Sequence, residues 1–165
     1  MRACMCIEIL QQTMNATDRF IVEILKNCQT IAVVGLSRNP SKDSYDVAMY
    51  MKSQGYRIIP INPYADEILG EKAYRSIPAI PRSIRQTIDL VNVFRPADEV
   101  MPTVVDCIRL RKKCLNPKAI WLQAGIINEE AATRAAEGKG KIGVVMDRCI
   151  KVEHKRLAAV GKSSA

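Results

Sequence analysis

Residues 31–45, IAVVGLSRNPSKDSY, set a glycine, three serines and two cations between an apolar run and the start of a helical pattern. The chemistry this grouping can do is to hold an anion. A helix beginning near Asp43 or Ser44 presents unpaired backbone N–H groups and the positive end of its dipole, where phosphate is readily seated. Ser37, Arg38, Lys42 and Ser44 surround that start and add hydroxyl donors and charge. Gly35-Leu36-Ser37 lacks the second and third glycines of the dinucleotide fingerprint.

The other apolar runs also end in residues suited to a ligand wall. Asn62 and Pro63 follow the run at 57–61; Phe94, Arg95 and Pro96 follow the next; Gln123 and Gly125 follow 119–122; Asp147, Arg148 and Cys149 follow the last. NAD enzymes commonly place Asp or Glu after the second strand to hold a ribose diol, and Asn62 supplies no carboxylate there. Arg95 leaves a buried strand at this edge and is read as a ligand residue. Phe94 reads equally as ligand contact and as core, whereas Trp121 is expected in the core. Gly125 is a candidate because a backbone without Cβ permits close approach.

Groups that could make or break bonds are sparse. The one histidine, His154, cannot assemble a Ser-His-Asp set, and Asp98 and Asp147 stand singly at this edge. Asp147 is expected to cap the last helix. Cys149, beside Arg148 at a helix start, has two open readings: an inert, partly buried thiol, or one whose pKa is lowered by its setting. The six cysteines, at 4, 6, 28, 107, 114 and 149, lack paired CxxC spacing and are expected to be free thiols. Cys4 and Cys6 form a CxC without the four-ligand set that zinc takes.

These residues need elements to position them. Helical spacing begins at Asp18 and runs through 27, strands are expected at 30–35, 57–61, 87–94, 119–122 and 142–146, and a short one at 72–74. Helices are expected at 44–54, closed by Gly55, at 98–113, at 128–137 behind an Asn128 cap, and at 148–157. In the 98–113 helix, Val100, Val104, Cys107, Ile108 and Arg111 fall along one side. Continuous apolar strands alternating with helices predict an α/β, Rossmann-like, doubly wound and mostly parallel sheet of about five strands, covered on both faces. The expected organisation is an extension over 1–17, one domain over 18–158 and a flexible tail over 159–165.

With 165 residues, 48% of them hydrophobic, the chain can bury a core of its own. A net charge of +8 favours anionic partners without choosing among them, and 5% aromatic residues leave few platforms for single-stranded nucleic acid. No run of about 18 apolar residues is present, so no membrane span is expected, and a cytoplasmic location is the default.

Five blocks together carry a family resemblance: GLSRNPSKDSYDVA, the GY-IIPINP stretch at 55–63, DLVNVFRPADEV, IWLQAGIINEEA and VVMDRCIKVEHKRL. In this order, across residues 18–157, they are similar to the small stand-alone coenzyme A-binding proteins. These are related to the CoA-binding domains of the succinyl-CoA synthetase α subunit and of nucleoside-diphosphate-forming acyl-CoA synthetases. The resemblance implies CoA or acyl-CoA bound across the carboxyl edge of the sheet. Gly35, Leu36, Ser37, Arg38, Lys42 and Ser44 would then lie at the phosphates. Asn62, Pro63, Phe94, Arg95 and Pro96 would line the adenosine side, with Gln123, Gly125 and Cys149 on the ligand side of the later loops. The family usually has a basic residue and Ser at 42 and 44, and Lys42 keeps the charge without the bidentate geometry of Arg.

The resemblance also implies a binding protein without catalysis, because the phosphohistidine loop and nucleotide-grasp domain of the synthetases have no counterpart here. On this reading Cys149 could form a mixed disulfide with the CoA thiol. Two other classes stand beside it: an NAD(P)-binding oxidoreductase or redox sensor, suggested by the fold, and a nucleic-acid-binding protein, suggested by the charge and the basic run 109–113. Homo-oligomerisation and protein partners are left open.

Overall fold

The computed structural model describes residues 16–137 and 140–162. Cys4 and Cys6 lie outside the described residues. α1 (Ala16–Asn27) leads into β1 (Thr30–Val34), α2 (Asp43–Ser53) and β2 (Arg57–Ile61). A small antiparallel pair, β3 (Glu67–Ile68) and β4 (Glu71–Lys72), and one helical turn, α3 (Arg82–Arg85), precede β5 (Leu90–Val93). A 3-10 turn (Ala97–Glu99) runs into α4 (Val100–Cys114), followed by β6 (Ala119–Leu122), α5 (Glu129–Ala136), β7 (Gly143–Val145) and α6 (Ile150–Lys162).

Five strands form one parallel sheet in the order β2-β1-β5-β6-β7, the doubly wound architecture expected from the alternating pattern. Every residue of β1, β5 and β6 is buried because both faces are covered, and the pleat sends alternate side chains to opposite layers. Ile31, Val33, Leu90 and Trp121 meet α1, α2 and α6 through Ile21, Val47, Met51 and Ile150. Ala32, Val34, Val93 and Leu122 meet α4 and α5 through Val104, Cys107, Leu110 and Ala135. Each fully buried large aliphatic side chain contributes about 1.5–3 kcal/mol, so the two layers carry the fold. Trp121 is wholly buried and donates its Nε1–H to the carbonyl of Arg148 at 2.6 Å, a core residue as expected.

Several boundaries differ from the sequence expectation. The strand expected at 87–94 is Leu90–Val93, because the Thr87 and Ile88 amides bond back to the carbonyls of Ile84 and Arg85 and close a turn. At β7, Ile142 is tied to the Ala135 carbonyl instead of a strand neighbour. The short strand pairs Glu71–Lys72 with Glu67–Ile68, and Tyr74 forms only an isolated bridge to Ile61. On α4, Leu110 completes the buried side while Arg111 turns to the carbonyls of Leu115 and Pro117. α6 continues to Lys162, past the expected end at 157.

Candidate functional site

The strand order reverses between β1 and β5, the place where open α/β sheets leave a crevice at their carboxyl ends. Here the loops after β1, β2 and β5 are laced together. Gly35 N–H donates to the Ile61 carbonyl at 3.0 Å, and Phe94 N–H donates to the Val34 carbonyl at 2.8 Å. Gly35 has φ of +80°, and a Cβ on it would stand 2.6 Å from the Phe94 carbonyl oxygen, so only glycine lets the two loops touch. That contact divides the edge into two cavities. The larger, about 570 Å³, lies toward α2 and α6, and the smaller, about 420 Å³, lies toward α4; Arg95 forms part of both walls.

The loop between β1 and α2 is held by its own polar groups. Ser44 Oγ accepts from Ser37 N–H at 3.0 Å, Ser37 Oγ accepts from Asn39 N–H, and Asn39 Oδ1 accepts from both the amide and the hydroxyl of Ser41. Ser44 is buried in this role, while Arg38 and Lys42 are exposed and take part in no ion pair among the described residues. α2 begins at Asp43 with Lys42 at its N-cap, so the amides of Asp43 and Ser44 have no acceptor within the helix. Two carboxylates share that first turn; Asp46 is taken by Lys151 Nζ at 2.6 Å, and Asp43 lines the larger cavity.

Of the residues expected at the ligand, Phe94, Arg95, Pro96, Gln123 and Cys149 come together on the larger cavity, and Gly35, Pro63 and Arg95 on the smaller. Phe94 is half-buried, packs against the core and also forms part of the cavity wall. Leu36 has its side chain fully buried in the core. Asn62 donates its Nδ2–H to the Leu36 carbonyl at 2.8 Å, and its Oδ1 accepts from Tyr64 N–H at 2.7 Å. Both of its polar ends are committed to tying the loops. Asp147 does not cap α6. It lies three residues ahead of the helix with φ of +54°, and its Oδ1 accepts from Gly125 N–H at 2.7 Å.

Gln123 is buried and its Nε2 donates to Asn92 Oδ1 at 2.6 Å, which places an amide pair under the larger cavity. Asn92 was not anticipated; the signal is an amide inside the apolar run LVNVF, where a central strand rarely holds one. Asp43, Val47, Ile126, Lys151 and Val152 on the larger cavity, and Arg75, Ser76 and Thr103 on the smaller, were also missed. Helical and loop residues of this kind carry no motif that marks them.

Cys149 is half-buried immediately ahead of α6. The neighbouring Arg148 guanidinium donates to Glu153 at 3.0 Å and pairs with Asp18 at 3.7 Å. Two other thiols are held protonated: burial pushes Cys28 up to about 12, with Asp89 adding to it, and burial raises Cys107 still further. Burial lowers the pKa of His154, whose Nδ1 lies 3.0 Å from the Tyr50 hydroxyl and which lines neither cavity.

The fold and this edge geometry define a Rossmann-like α/β domain whose cleft opens at the carboxyl ends of its strands. The sequence matches the CoA binding domain family over residues 29–155, and the chain belongs to that family. It is 40% identical over 140 residues to the uncharacterized protein YneT of Bacillus subtilis, spanning 85% of this chain and 96% of that one. Among solved structures, a Thermus thermophilus protein superposes with a TM-score of 0.73 at 35% identity, covering 87% of this chain and 99% of its own. This chain is also 35% identical over 82 residues to the α subunit of the ADP-forming acetate–CoA ligase II of Pyrococcus furiosus, a match that covers 49% of this chain but only 17% of the ligase subunit. Among the described residues no helix is long and apolar enough to cross a membrane.

Proposed function

We propose that this protein is a non-catalytic binding protein for coenzyme A or its thioesters, held across the carboxyl edge of the sheet. Family membership is the observation that carries this reading, and the loop geometry supports it. In the proposed complex the phosphates lie at Ser37, Arg38, Lys42 and the first amides of α2, where cations free of carboxylates meet a helix N-terminus. Pro63 and Arg95 flank the nucleotide, and the pantetheine arm enters the larger cavity past Phe94 toward Gln123 and Cys149. Coenzyme A is thus the ligand, and no catalytic role is assigned to a side chain.

A thermal-shift titration with CoA, acetyl-CoA, NAD, NADP and a DNA oligomer tests the assignment, since a ligand bound only by the native state raises Tm. Stabilisation by CoA and not by NAD, NADP or DNA is expected; stabilisation by NAD alone overturns it. The finer part of the proposal is redox response at Cys149. Its thiolate attacks CoA disulfide, giving protein–CoA mixed disulfide and releasing one CoA thiol. Intact mass after incubation with CoA disulfide should show one adduct that Cys149→Ser abolishes; equal adducts on both proteins remove Cys149 from the account.

A further inference from the structure

The charges around the larger cavity are already balanced. Lys151 is taken by Asp46 at 2.6 Å, Arg95 pairs with Glu99 at 3.5 Å, and Asp43 adds a carboxylate to the wall. This lining, with Asp43 and Asp46 against Arg95 and Lys151, offers phosphate no net attraction, whereas Arg38 and Lys42, free of carboxylates among the described residues, stand outside it on the loop. The larger cavity therefore suits the end of a ligand that carries no charge. Between these charged groups and Gln123, the side chains of Val47, Phe94, Ile126 and Val152 give the cavity hydrocarbon surface that a free thiol leaves uncovered. Val152 is 59% exposed on α6, an apolar side chain left at the cavity rim without cover. A volume of about 570 Å³ lies within the range of about 300–1,000 Å³ usual for small-molecule sites.

We infer that this cavity is an acyl pocket, and that the protein's preferred ligand is a thioester of CoA with an aliphatic acyl chain of about four to six carbons. The inference rests on the proposed CoA binding and adds the identity of the group on sulfur. The sulfur lies near Cys149, and the chain runs along Ile126 and Val152, displacing water from apolar surface. Each methylene then strengthens binding by about two-fold in a half-covered cleft and about four-fold if fully buried, the latter corresponding to about 0.8 kcal/mol.

Calorimetric titration with CoA, acetyl-CoA, butyryl-CoA and hexanoyl-CoA reads this directly. Hexanoyl-CoA is expected to bind at least ten-fold more tightly than acetyl-CoA, with butyryl-CoA between them. In Val152→Asp, a substitution at an exposed helix position, the ratio of hexanoyl-CoA to CoA affinity should fall toward one. The ratio is measured within one protein sample, so a change in folded fraction does not affect it. Equal Kd for all four ligands, or a chain-length dependence that Val152→Asp leaves intact, overturns the acyl pocket while the CoA reading stands. If none of the four binds, the CoA reading fails and the pocket with it.

Discussion

Replacing Gly35 by alanine separates the two costs that the carboxyl edge imposes on this backbone. At φ of +80° an L-residue carries the left-handed penalty, about 1–2 kcal/mol. The new Cβ would also stand 2.6 Å from the Phe94 carbonyl oxygen, a backbone atom held in place by the Phe94–Val34 hydrogen bond. Relief requires the β5 loop to move by several tenths of an ångström against packed strands, an overpacking cost of about 1–3 kcal/mol. Gly55 has φ of +94° but open space around its Cβ position, so Gly55→Ala reports the conformational cost alone. Urea denaturation of both variants should therefore place Gly35→Ala about 3 kcal/mol below wild type and Gly55→Ala about 1 kcal/mol below it, with unchanged m-values. Equal losses at the two positions, or a loss under about 0.5 kcal/mol for Gly35→Ala, would refute the claim that glycine is what allows these loops to meet.

Three further outcomes follow from the same geometry. Burial holds the His154 pKa below its ordinary value of about 6.5, so the neutral form is favoured in the folded state and its stabilising contribution is present above that pH. It is lost as pH falls through the depressed folded value; the stability difference between wild type and His154→Gln should shrink on going from pH 7.5 to 5, and a difference that grows contradicts the assignment. Cys28, pushed up to about 12, and Cys107, raised further by burial, should escape iodoacetamide at pH 8 in the folded protein and be alkylated in urea; peptide mass mapping that finds either modified under native conditions counts against the packing described. Asn62→Ala removes two loop hydrogen bonds and should cost about 1–3 kcal/mol in urea unfolding, whereas a neutral effect would mean that the loops are held by the strands alone.

The sheet was legible because its strands are short continuous apolar runs bounded by turn residues; 57–61 and 119–122 are strands over the expected residues. Boundaries failed where a long-range or turn hydrogen bond outcompeted the ladder, as at Thr87, Ile88 and Ile142. On α4 the helical period was readable, but whether Ile108 or Leu110 is the better covered depends on where α5 and the sheet lie. The candidate site divided in the same way. Residue types at strand ends pointed to the edge where the two cavities lie, but a sequence does not say which polar groups are already satisfied. Ser44, Asn62 and Asp147 all find partners within the protein, from 7 to 26 residues away in the chain. Val47, Ile126 and Val152 read as ordinary apolar residues of helices and loops, and only the convergence of α2, α6 and the β6 loop makes them one wall.

Native mass spectrometry of the full chain, mixed with equal concentrations of CoA, NAD and NADP, tests the central claim most directly. The account predicts one dominant complex, heavier than the free protein by the mass of a single CoA. A dominant NAD or NADP complex, or no CoA complex at concentrations that saturate a known CoA-binding protein, would contradict it.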